Sequence, residues 1–110
     1  MKTEKILLAV TIAAAADLSR FRFADYSGNV AGAGERVLGV PTTDFSAGEQ
    51  ASVATHGEIL VEAGAAIAAG AEVESDANGK AITKAAGISN GFALDAAAAA
   101  GDVIRIVRGI

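Results

Sequence analysis

The side chains that could do chemistry in this chain are few and scattered. His56 is the only histidine, and the 110 residues include no cysteine. A Ser-His-Asp triad, a histidine-metal cluster or a thiolate metal site needs more of these side chains than the sequence offers. Gly-x-Ser-x-Gly, His-Glu-x-x-His and Walker sequences are also missing. We therefore expect no enzyme and assign no catalytic, cofactor-binding or metal-binding residue; we expect His56 in or just before a turn.

Two short sequences match ligand-binding loops only in part. Asp76-x-Asn78-Gly79 matches the beginning of a calcium loop, but no glutamate follows at the position that completes it. The Asn-Gly pair favours a type I′ turn, which predicts a hairpin pairing Val73 with the neighbourhood of Ile82. Gly32-x-Gly34 lacks the third glycine of a dinucleotide-binding loop and precedes a predicted strand rather than a helix. We interpret the first sequence as a hairpin turn and discard the second.

The arginines form two small groups. Residues 19–24 alternate between polar and apolar side chains, which predicts a half-buried strand with Arg20 and Arg22 on one face. Arg105 and Arg108 lie near the end of the chain. These arginines could bind acidic groups of a partner, and a solvated strand face explains them equally well. Because the net charge is −4 and no basic cluster stands out, we expect no binding to nucleic acid.

An Ala-Gly pair, usually followed by an acidic residue, recurs before apolar segments. Glycine accepts the positive φ of a tight turn, and a charged neighbour keeps the turn in water. The four copies are Ala33-Gly34-Glu35, Ala47-Gly48-Glu49, Ala69-Gly70-Ala71-Glu72 and Ala100-Gly101-Asp102. The pattern predicts a small all-β domain, either a β-barrel or a β-sandwich of short strands, with at most one or two helical turns.

The predicted elements follow from these turns and from the apolar segments between them. Strands are expected at 5–12, 19–24, 36–40, 50–55, 58–63, 71–74, 88–94 and 103–107, and helical turns at 13–18 and 95–100. The last strand has apolar residues on both faces and is expected to be central or covered by an interface. The segments around Gly48 and Gly101 share the order strand, loop, Ala-Gly-acid, strand. This similarity is too short and degenerate to establish a duplicated fold, and a single supersecondary unit used twice explains it.

The composition favours contacts with other subunits. Apolar residues make up 52% of the chain, but only five of the residues are aromatic, and alanine supplies about half of the apolar count. Because an alanine buries little area, the core of a single copy is small. A chain of this kind gains from burying further area against partner subunits.

The N-terminus shares features with a secretory signal without matching it fully. Lys2 and Lys5 precede the apolar residues 6–12, and the alanines 13–16 follow. Glu4 lies within the region that should be positive, and the apolar segment is far too short to span a bilayer. We interpret residues 1–18 as an N-terminal strand or arm and residues 19–110 as a single β-domain, and we expect no secretion and no membrane contact.

Short segments, most of them rich in glycine, alanine or acidic residues, follow one another in order along nearly the whole chain. They are Lys5-Ile6-Leu7-Leu8, Ala15-Ala16-Asp17-Leu18-Ser19, Phe21-Arg22-Phe23, Ala31-Gly32-Ala33-Gly34-Glu35, Leu38-Gly39-Val40, residues 47–53, residues 63–70, residues 75–81, Gly91-Phe92-Ala93-Leu94 and Gly101-Asp102. Each segment alone is only turn chemistry. In order and spacing, they resemble the small capsid decoration (cement) proteins of tailed bacteriophages.

The resemblance implies a structural role with no catalytic residues. It implies a compact β-domain, often a trimer, that binds the outer surface of the capsid and stabilises contacts between major capsid protein subunits. We therefore expect a virion protein made in the host cytoplasm, with the major capsid protein and further copies of itself as partners, a homotrimer being favoured. The alternative is a non-catalytic β-domain of a head fibre, or a module that binds carbohydrate or peptide on a host surface. The candidate partner contacts are Ile6, Leu8, Val10, Arg20 and Arg22.

Overall fold

The computed structural model describes residues 4–109, and these residues form strands joined by turns and loops. The strands are β1 (Lys5–Ala13), β2 (Val40–Pro41), β3 (Gln50–Glu62), β4 (Val73–Ser75), β5 (Ala81–Thr83), β6 (Phe92–Ala93) and β7 (Val103–Arg108). The all-β prediction is confirmed. No helix occurs within residues 4–109, so the helical turns expected at 13–18 and 95–100 are wrong; both segments are bends, turns and isolated bridges.

Two sheets share the strands. The larger has the order β1–β3–β7–β6, with β2 also paired to β3, and all of these pairs are antiparallel. The smaller sheet is the β4–β5 hairpin. The hydrogen-bonded order of the described strands does not return from β6 to β1, so the larger sheet stays open rather than closing into a barrel. As expected, β7 is central, with Ile104 and Ile106 fully buried.

Strand β3 runs without interruption through His56 and Gly57, where the sequence predicted a turn between two strands. The register between β1 and β3 shifts on both sides of Leu8, which marks a bulge in the pairing. Gly57 has a φ of 114°, and a Cβ added there would lie 2.2 Å from the carbonyl oxygen of Lys5. Gly57 therefore permits β1 to approach at the bulge, and His56 is a strand residue.

The strand predicted over residues 19–24 is not present. Phe21 has a φ of 72°, which reverses the chain there, and Phe23 is fully buried. The N–H of Phe23 donates to the carbonyl of Gly79 at 2.7 Å, and the N–H of Ala24 donates to the carbonyl of Gly39 at 2.8 Å. Because these backbone groups bind two different loops, the alternating pattern does not produce a strand.

The β4–β5 hairpin is confirmed, with Val73 opposite Thr83 and Glu74 opposite Ile82. Its turn differs from the predicted type I′. Gly79 has a φ of 76°, whereas Asn78 is not among the described residues with positive φ. The turn is a type I turn followed by a left-handed glycine. One carboxylate oxygen of Asp76 accepts from the N–H groups two and four residues further on, at 2.8 and 2.9 Å.

The four Ala-Gly segments form the same turn, with positive φ at each glycine, as the sequence predicts. In each turn, the residue that follows the glycine donates its N–H to the carbonyl of the residue two places before the glycine. This is the hydrogen bond of a type II turn. Each glycine N–H also donates, at 2.7–2.8 Å, to the carbonyl of a small buried residue in another segment. The glycine-acceptor pairs are Gly34–Ser75, Gly48–Ala14, Gly70–Ala93 and Gly101–Ala63.

These turns belong to two structurally equivalent units, the N-terminal unit (residues 5–54) and the C-terminal unit (residues 58–107). Strand β3 ends the first unit and begins the second. The matching strand pairs are Ala13↔Gln50 with Glu62↔Val103, Val10↔Val53 with Ile59↔Ile106, and Val40↔Ala54 with Phe92↔Val107. The matching bridges are Leu18↔Phe45 with Ile67↔Ala97. The similarity in the sequence around Gly48 and Gly101 is therefore part of a duplicated architecture.

Each unit has its own hydrophobic cluster. The N-terminal cluster contains Ala14, Leu18, Ala24, Ala51 and Val53, with Val10, Ile12, Val30, Leu38 and Phe45 partly buried against it. The C-terminal cluster contains the equivalents of most of these residues, and in addition Phe23, Ala31, Val37, Val40 and Ala54 from the N-terminal unit. The N-terminal unit thus covers the core of the C-terminal unit.

Candidate partner-binding surfaces

Strand β1 is an exposed apolar edge of the larger sheet. It pairs with β3 on one side and has no strand on the other among the described residues. Leu7 is 82% exposed, and Ile6 and Leu8 are 40% and 49% exposed. An apolar edge strand with unpaired backbone groups is a template for strand addition from another chain.

A shallow depression of about 250 Å³ lies beside this edge. Most of the surface exposed in this depression is apolar, because the polar residues contribute mainly their apolar atoms. The residues that line it are Lys5, Leu7, His56, Gly57, Glu58, Val107, Arg108 and Gly109. His56 is exposed, and its Nδ1 lies 2.9 Å from the hydroxyl oxygen of Thr55. The hydroxyl of Thr55 also donates to the carbonyl of Leu8. His56 therefore helps to hold the bulge between β1 and β3, and no cluster of metal-ligating side chains occurs in the described part of the chain.

A second depression, of about 220 Å³, lies on the other side of Arg108. It is lined by Ser89, Asn90, Gly91, Phe92, Val107, Arg108 and Gly109. The Arg108 guanidinium donates to the carbonyls of Leu38 at 2.7 Å and Val37 at 3.1 Å. Burial lowers its pKa from the usual arginine value, and the nearby Tyr26 opposes this change. Arg108 thus joins the end of β7 to a loop of the N-terminal unit.

The arginines that the sequence offered as partner contacts make ion pairs within the chain. Arg20 lies 3.1 Å from Glu4, just before β1, and its side chain is still 44% exposed. Arg22 and Lys80 flank Glu62 at 3.2 and 3.3 Å. Burial would raise the pKa of the Glu62 carboxyl, but the hydrogen bonds and charges of the two cations outweigh it, so this pKa lies below its ordinary value. Arg20 is available near the β1 edge, whereas Arg22 mainly holds Glu62.

Of the five sequence candidates, Ile6, Leu8 and Arg20 meet at or near the exposed end of β1. Val10 is partly buried against the N-terminal cluster, and Arg22 lies at the far end of β3. Sequence reasoning missed a second group of exposed apolar side chains on and beside β6, where Phe92 is 42% and Leu94 41% exposed. Nothing in the local sequence marks them, because Gly91-Phe92-Ala93-Leu94 has the pattern of a buried strand.

The outer side of β7 carries a charged cluster close to Leu94. The Arg105 guanidinium forms two hydrogen bonds to Asp95, each of 2.9 Å, and lies 3.8 Å from Glu58. The hydrogen bond with Asp95 raises the pKa of Arg105. A bidentate pair fixes the guanidinium plane, so this part of the surface is rigid. Residues 4–109 contain no helix with the length and hydropathy needed to cross a bilayer.

Comparison with known proteins assigns the chain to a family. A family model described as phage cement protein matches residues 1–108. The fold is similar to a crystal structure of the N base of the head fibre gp8.5 of bacteriophage phi29, with a TM-score of 0.75 and 20% identity over 91% of this chain and 92% of that one. No curated protein matches the sequence. Since the family model spans nearly all of the chain, the protein belongs to the phage cement protein family.

Proposed function

We propose that this structural virion protein binds the outer surface of the capsid and stabilises contacts between major capsid protein subunits. Family membership supports a place in the virion. The observation that carries the capsid contact is the edge of β1, where three consecutive apolar residues are exposed (Ile6, Leu7 and Leu8). Leaving such an edge unpaired in water is costly, and a partner strand or a flat apolar surface would cover it.

The proposed contact residues are Ile6, Leu8 and Val10 in the N-terminal strand or arm (residues 1–18), and Arg20 and Arg22 just after it. The apolar residues would supply buried area, and Arg20 would supply a charge for an acidic group of the capsid. Each contact is modest, but a shell repeats it many times, so weak individual contacts suffice for stabilisation.

The proposal extends to the setting in which the protein works. The protein is made in the host cytoplasm, acts on the capsid surface without catalysis, binds neither nucleic acid nor membrane, and forms a homo-oligomer, with a trimer favoured. The small alanine-rich core supports self-association, because a second copy would bury further apolar area.

Co-sedimentation with expanded capsids tests the capsid contact. We expect the wild-type protein to sediment with capsids and to raise their resistance to heat and chelators. Leu8→Asp should lower the bound fraction at least about tenfold, because it places a charge in an apolar contact. Ala77→Asp, which adds the same single negative charge at the exposed hairpin tip, is the control. Wild-type protein that stays in the supernatant would refute the capsid contact.

A second candidate function has one observation in its favour. The similar solved structure is the N base of a head fibre, so this fold can also serve as a fibre base. The protein would then be a non-catalytic domain of a head fibre or of a module that binds carbohydrate or peptide on a host surface. Binding of purified protein to host cells in the absence of capsids, with no effect on capsid heat resistance, would favour this function over the first.

A further inference from the structure

The two units differ in how well equivalent residues are covered. Val40 and Phe92 occupy matching places in the strand pairs β2–β3 and β6–β7, but Val40 is 1% exposed and Phe92 is 42% exposed. Their partners Ala54 and Val107 differ in the same direction, since Ala54 is fully buried and Val107 is only partly buried. The C-terminal unit covers Val40 and Ala54, and no unit within residues 4–109 covers Phe92 and Val107.

The N-terminal unit covers the C-terminal cluster with five residues, which are here named the lid: Phe23, Ala31, Val37, Val40 and Ala54. Their equivalents in the C-terminal unit form the second lid. Matching hydrogen bonds identify these equivalents. The Ala24 N–H binds the Gly39 carbonyl as the Val73 N–H binds that of Gly91, and the Ala31 N–H binds the Phe23 carbonyl as the Lys84 N–H binds that of Glu72. The second lid therefore comprises Glu72, Lys84, Ser89, Phe92 and Val107, and none of these residues is fully buried.

The N-terminal unit lacks what the C-terminal unit has, a set of residues that covers its core. Ile59 and Val61 are fully buried under the lid, whereas their equivalents Val10 and Ile12 remain only partly buried. Phe45 is also partly buried, while its equivalent Ala97 is 4% exposed. The N-terminal cluster is thus a core without a lid, and we name Val10, Ile12 and Phe45 the open core.

We propose that copies of this chain associate head to tail, with the second lid of one copy covering the open core of the next. The contact between the two units inside one chain is the template for this interface, as in repeat proteins in which identical surfaces stack. The inference deepens the homo-oligomer proposed above and does not depend on binding to the capsid. A second copy fits better than an unrelated partner because the chain itself already contains both matching surfaces.

The proposed interface is more polar than the contact inside the chain. Glu72, Lys84 and Ser89 stand where Phe23, Ala31 and Val37 stand in the lid, and Glu72 and Lys84 are exposed. Two apolar positions of the second lid, Phe92 and Val107, remain to fill the open core. This composition is typical of a reversible association rather than of a permanent one. An open head-to-tail assembly keeps one uncovered surface at each of its two ends until it closes into a ring. A ring of three copies would give the favoured trimer.

Sedimentation of the full chain at concentrations from micromolar to millimolar tests this interface. We expect concentration-dependent oligomers for the wild-type protein and a monomer for Phe92→Asp, which places a charge in the lid position that would be buried. Ala77→Asp adds the same charge at the exposed hairpin tip and should leave assembly unchanged. A wild-type protein that stays monomeric at all concentrations, or Phe92→Asp oligomers like those of the wild type, would overturn the proposal.

Mixing two variants distinguishes a head-to-tail contact from a symmetric one. Ile12→Asp damages the open core but leaves the second lid intact, and Phe92→Asp does the reverse. Each should be monomeric alone, and together they should form a one-to-one dimer through the remaining pair of surfaces. The absence of such a dimer, with both variants folded by circular dichroism, would contradict the head-to-tail arrangement. If Ile12→Asp does not fold, the Phe92→Asp measurement still decides. Capsid co-sedimentation is a separate experiment, so failure of the capsid contact does not resemble failure of this interface.

Discussion

Gly57 lies against Lys5 so closely that a Cβ on the glycine would be 2.2 Å from the lysine carbonyl oxygen. This approach lets β1 pair with β3 across the bulge that ends at Leu8. The exposed end of β1, on which the proposed capsid contact rests, is therefore positioned by a glycine in the middle of a strand.

The first prediction concerns this glycine. Gly57→Ala should lower the free energy of unfolding by about 2–4 kcal/mol, because φ is 114° and the new Cβ meets backbone that cannot move away. Gly48→Ala is the matched control: its φ is 89°, but a Cβ there meets nothing within 4 Å. It should cost only about 1 kcal/mol, from backbone conformation alone. Urea unfolding measures both, and equal losses would contradict the close approach.

The second prediction concerns Glu62 between Arg22 and Lys80. Because its pKa is lower in the folded state, its contribution to stability is present above the ordinary glutamate pKa and is lost as the pH falls through the folded value. Glu62→Gln should therefore destabilise by about 0.5–1 kcal/mol at pH 7, a figure reduced for solvent screening. The difference between the two proteins should vanish in acid. A difference in unfolding free energy that does not shrink as the pH falls below the ordinary glutamate pKa would contradict this role.

Arg108 gives a third prediction. Arg108→Ala leaves the carbonyls of Val37 and Leu38 without their donors and should cost about 2–3 kcal/mol in urea unfolding. Arg108→Lys should restore little, because an ammonium cannot donate to two separated carbonyls as a planar guanidinium does. Arg20→Ala, which removes an exposed ion pair with Glu4, should cost no more than about 0.5 kcal/mol. Equal costs for Arg108→Ala and Arg20→Ala would show that the Arg108 contacts contribute little.

The Asp76 turn gives a fourth prediction. Asp76→Ala removes the oxygen that accepts from Asn78 and Lys80, and it should lower stability by about 1 kcal/mol. Asp76→Asn keeps an acceptor oxygen and should cost less. Calcium should leave the melting temperature of the wild-type protein unchanged, because this oxygen already serves the turn. A calcium-dependent rise that Asp76→Asn abolishes would show that the loop binds the ion after all.

Much of the fold could be predicted from the sequence, because it depends on the conformation of local turns. The four Ala-Gly turns, the hairpin after Ser75 and the central last strand were all predictable, since each depends on glycine conformation or on a continuous apolar segment. The strand expected over 19–24 was wrong because the backbone of Phe23 and Ala24 binds distant loops, which no local pattern reveals. For the same reason the sequence divided β3 at His56 and Gly57, where only the approach of β1 explains the glycine.

The binding surfaces were less predictable than the fold. The apolar residues at the start of β1 are visible in the sequence. The exposure of Phe92 is not visible there, because its local pattern matches that of the buried Val40. The difference between these two residues arises from the order of the units along the chain, which is a property of the tertiary arrangement.

The sharing of β3 has a consequence for folding. One half of β3 pairs with β1 in the N-terminal unit, and the other half pairs with β7 in the C-terminal unit. Within β3, the adjacent residues Val53 and Ala54 belong to different hydrophobic clusters. Neither unit can lose its structure without withdrawing a strand from the other. We therefore expect the duplicated architecture to melt in one cooperative transition, with calorimetric and van't Hoff enthalpies that agree. A chain cut between the two units would leave two fragments that fold only together.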